Sequence, residues 1–162
     1  MQAEVLPQLA CVCASLKRAS RSVTHLYERA LSRSGLSVPQ FTLLYTLAKQ
    51  SLVQAAIAEL LTIDRTTLTR TLATLERGGL IRAAEGEDRR ECHWSLTPAG
   101  RKAFETARPR WEKVQEQFRK RLGVERWEML IGELTNVAAA ARMRLGDGVD
   151  RFRPRKTPPP RL

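Results

Sequence analysis

Between residues 5 and 33, Val12, Leu16, Ala19, Val23, Leu26 and Ala30 recur at three- and four-residue steps. That spacing gathers them on one face and predicts a long first helix, with Gly35 as its stop. The stretch "SVPQFTLLYTLAK" predicts a second helix, with Ser37 as N-cap and Pro39 in the first turn. A short third helix is predicted over "LVQAAIAELLT". A fourth begins after Asp64 and ends near Arg77, before Gly78-Gly79. There the period changes. "LIRAA" and "ECHWSL" predict two strands joined by the turn "EGEDR", with Cys92, Trp94 and Leu96 sharing an inward face and His93 turned outward. Thr97 and Pro98 open a fifth helix as N-cap and first-turn residue. Its stripe is Phe104, Ala107, Trp111, Val114, Phe118 and Leu122, with a bend expected at Pro109 and a break at Gly123. A sixth helix carries Trp127, Leu130, Ile131, Leu134, Val137, Ala138 and Ala141.

The pattern predicts a mainly α fold with a small β-hairpin. A helix pair and a two-stranded wing occupy the middle, and long helices flank them. The division by residue number is 5–34 and 98–145 for the flanking helices and 37–97 for the winged helix. Residues 146–162 form a basic, proline-rich tail expected to be disordered.

Composition narrows the choice of partner. The chain of 162 residues has 28 Lys+Arg against 17 Asp+Glu, a net charge of +11. Such a balance attracts polyanions, either nucleic acid or an anionic membrane surface. No apolar run approaches the roughly 20 residues of a membrane span, and no membrane partner is expected. The N-terminus lacks the basic leader and apolar core of an export signal. An odd cysteine count, 3, argues against a disulfide framework and for a reducing compartment. The expected location is the bacterial cytoplasm, at the nucleoid when bound to DNA.

The fourth helix has the surface a DNA groove requires. In "DRTTLTRTLATLERGGL", Leu68, Leu72 and Leu75 share one face and should pack inward. At about 100° per residue, Thr66, Arg70, Ala73 and Arg77 lie opposite, with Thr69 and Thr74 on the flanks. That face is small, hydroxylic and cationic, and it suits a major groove. Arg89 and Arg90 stand at the hairpin tip, where an arginine can reach a neighbouring minor groove, and Asp88 can anchor one by a bidentate pair. Residues 51–100 nevertheless hold six basic and seven acidic residues, so individual arginines and not bulk charge must carry the contact. An ordinary solvated helix face and a charged turn are the plain alternatives.

"IAELLTIDRTTLTRTLATLERGGLIR" followed by "DRRECHWSLTPAGR" resembles the MarR family of bacterial winged-helix transcription regulators. Its wing pattern, Asp-x-Arg followed by Leu-Thr-x-x-Gly, is matched by Asp88, Arg90, Leu96, Thr97 and Gly100. The recognition-helix pattern is matched around Thr67, Leu68, Thr69, Arg70, Leu75, Glu76, Gly79 and Leu80. The resemblance spans residues 5–145. It implies a homodimer joined through the first, fifth and sixth helices, acting as a repressor on a near-palindromic operator in double-stranded DNA. The residues that would contact DNA are Arg65, Thr66, Thr67, Thr69, Arg70, Ala73, Thr74, Arg77, Asp88, Arg89 and Arg90. A small aromatic or phenolic ligand in the dimer crevice would release it. Two-fold symmetry gives this physical sense, because paired reading helices meet half-sites about one helical turn apart.

Enzymatic readings have little footing. The chain has no phosphate-cradling glycine loop and no Ser/His/Asp set in a usable context. His25 and His93 are the only histidines, and the cysteines and histidines lack zinc-ligand spacing. No metal or cofactor is expected. A winged-helix module for protein–protein contact is the remote alternative.

The cysteines raise a different switch. Cys11 and Cys13 stand two residues apart, so on an intact helix their side chains diverge by about 200° and cannot pair. In the organic-hydroperoxide-sensing branch of the same family, a reactive cysteine lies on the first helix. Cys13 matches its position, and Tyr27 matches a tyrosine bonded to the thiol there. Lys17 and Val38 stand where that branch has two further tyrosines, and no cysteine follows Cys92. Cys13 is therefore either a peroxide sensor or a small residue on a dimer-forming helix, and Cys92 is expected in the core.

Overall fold

The computed structural model describes residues 7, 10–85 and 92–142. The elements are α1 (Val12–Leu31), a 3₁₀ turn (Ser32–Ser34), α2 (Val38–Lys49), β1 (Leu52–Val53), α3 (Gln54–Leu61), α4 (Arg65–Arg77), β2 (Ile81–Glu85), β3 (Cys92–Leu96), α5 (Pro98–Leu122) and α6 (Val124–Arg142). The chain divides into two compact units, with the boundary after Gln117 inside α5.

The helix starts are chemically marked. Ser37 and Gln40 make a reciprocal capping box at α2: the Gln40 amide N–H donates to Ser37 Oγ, and the Ser37 N–H donates to Gln40 Oε1 at 2.9 Å. At α5, Pro98 takes the first helical position and the Gly100 N–H donates to Thr97 Oγ1 at 3.0 Å. α5 continues through Pro109.

Two elements differ from the sequence pattern. α1 begins at Val12, and Cys11 is its N-cap in extended conformation. Pro7, Ala10 and Cys11 are not helical, and residues 5, 6, 8 and 9 of the predicted helix lie outside the described residues. The wing has a third strand. β1 pairs antiparallel with β3, Leu52 opposite Trp94 and Val53 opposite His93, giving the order β1-β3-β2. Ser51 Oγ donates to the Trp94 carbonyl at 3.0 Å beside that pairing. Two residues are too few to show a strand's alternation, and Leu-Val reads equally well as the start of a helix.

The first unit has one apolar core. Leu31 of α1, Phe41, Leu43, Leu44 and Leu47 of α2, Ile57 of α3, Leu68, Leu72 and Leu75 of α4, Ile81 of β2, Trp94 of β3, and Phe104 and Ala107 of α5 form one buried cluster. Phe41, Tyr45, Phe104 and Trp111 cluster where α2 meets α5 in tilted and edge-on pairs, with contacting ring centroids 5.2–6.4 Å apart. In the second unit, Phe118 stacks on Trp127 at 6.0 Å, around Gly123. Most of the α6 stripe is open: Leu130, Ile131 and Leu134 are 41%, 47% and 43% exposed.

Cys92 is exposed, against the expectation that it lies in the core. It pairs with Glu85 at the far end of the β2–β3 ladder, two positions beyond the buried Trp94. Alternation assigns a side chain to a face; how far the core extends under that face depends on the helices beneath it.

Candidate nucleic-acid interface

α4 is held at both ends and along one side. Asp64 is its N-cap and accepts the Thr67 N–H at 2.9 Å. That hydrogen bonding, chiefly with Thr67, holds the Asp64 carboxyl below its usual 3.8. Asp64 therefore favours the folded state above the carboxylate range, and the contribution disappears as pH falls through its lowered value. Asp64→Ala should melt at a lower temperature than the parent at pH 7. The gap should close in melts run progressively below pH 3.8, and a gap that persists in acid would contradict the assignment.

Leu68, Leu72 and Leu75 are buried as the periodicity predicts, each 1% exposed. The opposite surface is open: Arg65, Thr66, Thr67, Thr69, Arg70, Ala73, Thr74 and Arg77 are all exposed. The structure thus brings eight of the predicted contact residues onto one accessible helix. Asp88, Arg89 and Arg90 lie outside the described residues. β2 and β3 flank residues 86–91, with Glu85 opposite Cys92.

The threonines are chemically less free than their sequence implies. Thr69, Thr71 and Thr74 donate their hydroxyl protons to the carbonyls of Arg65, Thr67 and Arg70, at 2.8, 2.9 and 2.9 Å. A hydroxyl has one proton, so in this state these side chains can accept but not donate. They offer base donors a lone pair; a phosphate, itself an acceptor, requires the hydroxyl to rotate. Arg77 is also turned back, its Nε donating to the Ala73 carbonyl at 3.2 Å.

Two features of this region escaped the sequence patterns. Gln54, the first residue of α3, donates from Nε2 to Thr69 Oγ1 at 2.8 Å. The second is the clasp behind α4. The Thr97 N–H donates to the Leu80 carbonyl at 3.1 Å, and Thr97 Oγ1 donates to the Gly79 carbonyl at 2.6 Å. Gly79 makes the turn with a φ of +66°, a left-handed conformation that favours glycine. Gly100 then packs directly on the Leu80 carbonyl. The Leu-Thr-x-x-Gly pattern is therefore the fastening between the end of α4 and the start of α5.

Within one chain the cysteine candidates stand apart from one another and from Tyr27. Cys11, Cys13 and Cys92 are all exposed free thiols. Cys11 lies outside the helix, so the angular argument separating it from Cys13 does not apply to it. Cys13 and Tyr27 are both on α1, and 14 residues at 1.5 Å each place them about 21 Å apart. A thiol–tyrosine contact cannot form within one chain. Burial pushes the Tyr27 phenol up to about 12. Among the described residues, no group of three or more His, Cys, Asp or Glu could hold a metal ion. No described helix is long and apolar enough to cross a membrane.

A helix pair ending in an exposed α4, followed by a paired wing and a long α5, defines a winged helix-turn-helix regulator. Comparison with known proteins gives the family. Residues 34–91 match the MarR family model. The transcriptional regulator HosA of Escherichia coli is 32% identical over 99 residues, 59% of this chain and 73% of HosA. The transcriptional regulator MosR of M. tuberculosis, solved in complex with DNA, is 35% identical with a TM-score of 0.71, covering 82% of this chain and 99% of that one. A MarR variant from E. coli, solved with operator DNA, is 19% identical and shares the fold at a TM-score of 0.70, over 78% of this chain and 92% of its own. The chain belongs to the MarR family of transcriptional regulators, and these relatives are regulators and not enzymes.

Proposed function

We propose that the protein binds double-stranded DNA as a homodimer and represses transcription from a near-palindromic operator. α4 enters a major groove, and residues 86–91 bring Arg89 and Arg90 to a minor groove. The observation that carries this reading is the outer face of α4: Thr66, Arg70, Ala73 and Arg77 are exposed and contain no acid, while three buried leucines fix the helix from behind. The DNA bound in MosR and in the MarR variant supports it. The open apolar face of α6 supports a second chain as its cover, since a free surface of this kind is costly in water.

A cleft of about 330 Å³ between α2 and α5 supports release by a small aromatic carboxylate or phenol. Tyr45, Phe104 and Trp111 supply aromatic walls; Arg108 pairs with Glu105 and Glu112 at 3.5 and 3.4 Å, and Lys49 and Arg101 are the further positive charges of the lining. Lys49 Nζ stands 4.7 Å over the Tyr45 ring.

Arg70→Ala tests the reading directly. A lost base contact should weaken operator binding by about 1–3 kcal/mol while random duplex is bound as before. A lost phosphate contact should weaken both alike and lower the salt slope by about one. Arg90→Ala should likewise weaken binding without lowering the melting temperature. Gel shifts at several salt concentrations distinguish DNA binding from a protein-interaction role, because only the former must weaken steeply with salt.

A further inference from the structure

Thr69 is exposed on the reading helix, yet its hydroxyl faces the protein. The proton goes to the Arg65 carbonyl at 2.8 Å, and one lone pair receives the Gln54 amide at 2.8 Å. These two bonds are compatible only if Gln54 points its nitrogen at Thr69, since the hydroxyl proton is already committed. A helical threonine divides between two χ1 rotamers because its oxygen can bond a carbonyl of the preceding turn. Thr71 and Thr74 have that single anchor on their own helix. Thr69 has a second anchor from a different helix. With its proton and one lone pair engaged, the oxygen is fixed in place with a single lone pair left over, and the methyl is the unanchored branch of Thr69. Ala73, one turn further and also exposed, adds a second methyl beside it.

We infer that Gln54 is a specificity-positioning residue: by holding the Thr69 hydroxyl, it makes position 69, together with Ala73, a reader of a thymine C5-methyl group in the operator. Threonine and alanine methyls are suitable contacts for that group in the major groove. A hydroxyl free to rotate would instead donate to a phosphate, which carries no sequence information. α3 thus acts on specificity through α4, although Gln54 itself need not touch a base. The inference rests on the reading that α4 lies in the major groove.

The test uses the full chain and the tightest duplex it selects from a randomised library. Each thymine of that duplex is replaced singly by deoxyuridine, which removes only the C5 methyl. The parent should lose about fourfold in affinity at one thymine per half-site, the equivalent of ~0.8 kcal/mol for one buried methyl-sized group. Thr69→Val puts a methyl on both branches and removes the hydroxyl, so the deoxyuridine penalty should persist whatever the variant's overall affinity. Thr69→Ser keeps the hydroxyl and removes the methyl, so the penalty should fall to the share carried by the Ala73 methyl. Gln54→Ala should cut the penalty below about twofold with the melting temperature unchanged. The penalty is a ratio measured within one variant, so loss of folded protein does not imitate it.

No penalty in the parent, or a penalty lost in Thr69→Val, overturns the methyl reading. A full penalty retained in Gln54→Ala overturns the positioning role. Arg70→Ala run in parallel separates the two levels. If Arg70→Ala leaves selected-duplex affinity intact, the placement of α4 fails and this inference falls with it. If Arg70→Ala weakens binding while the deoxyuridine series is flat, only this inference falls.

Discussion

Gly100→Ala should cost about 1–3 kcal/mol or more of stability and lower DNA affinity with it. A Cβ at position 100 would overlap the Leu80 carbonyl oxygen and stand 2.7 Å from the carbonyl carbon. Both are backbone atoms, so no rotamer change relieves the contact. The same carbonyl accepts the Thr97 N–H, and the Thr97 hydroxyl holds the Gly79 carbonyl. Displacing Leu80 therefore loosens both hydrogen bonds at the point where α4 ends, β2 begins and α5 starts. The expected result is a lower melting temperature together with a weaker gel shift at a temperature where the variant is still folded. An unchanged melting temperature would show that α5 can move away without cost. Thr97→Val offers a milder comparison, because it removes the hydroxyl bonds and leaves the helix contact in place.

Phe41→Ala should destabilise the protein by about 3–5 kcal/mol, the range for deleting a buried aromatic ring. Phe41 is 2% exposed and its ring meets Tyr45, Phe104 and Trp111. Two of those neighbours lie on α5, so the ring joins the helix-turn-helix side of the core to the long helix behind it. Its loss leaves a cavity between α2 and α5 next to the aromatic cleft. Urea unfolding with tryptophan fluorescence checks the prediction, since Trp111 reports from the same cluster. A cost below about 1 kcal/mol would mean that the surrounding rings close the gap. Phe41→Leu, which fills most of the volume, should recover a large part of the loss.

Much of this was legible along the chain because the signals are local. Leu68, Leu72 and Leu75 are spaced so that any helix through them has one apolar side. Ser37 and Asp64 are capping residues whose oxygen reaches an amide three positions on. Gly35 and Gly123 stand where α1 with its 3₁₀ turn and α5 stop. The acid-free outer face of α4 follows from the same angular arithmetic. The Leu-Thr-x-x-Gly pattern was visible as a resemblance, but its work was not. What went unread was non-local or too short: the strand Leu52–Val53, the exposure of Cys92 and the state of the threonine hydroxyls.

The residue order by itself determined the helices, their caps, the inward leucines and the basic outer face of α4. Each depends on atoms within one or two turns, where the backbone period places them without help from the rest of the chain. Only the tertiary structure decided that Gln54 would meet Thr69 and that Gly100 would lie on Leu80. These contacts join residues 15 and 20 positions apart on different elements, through packing distances that periodicity does not encode.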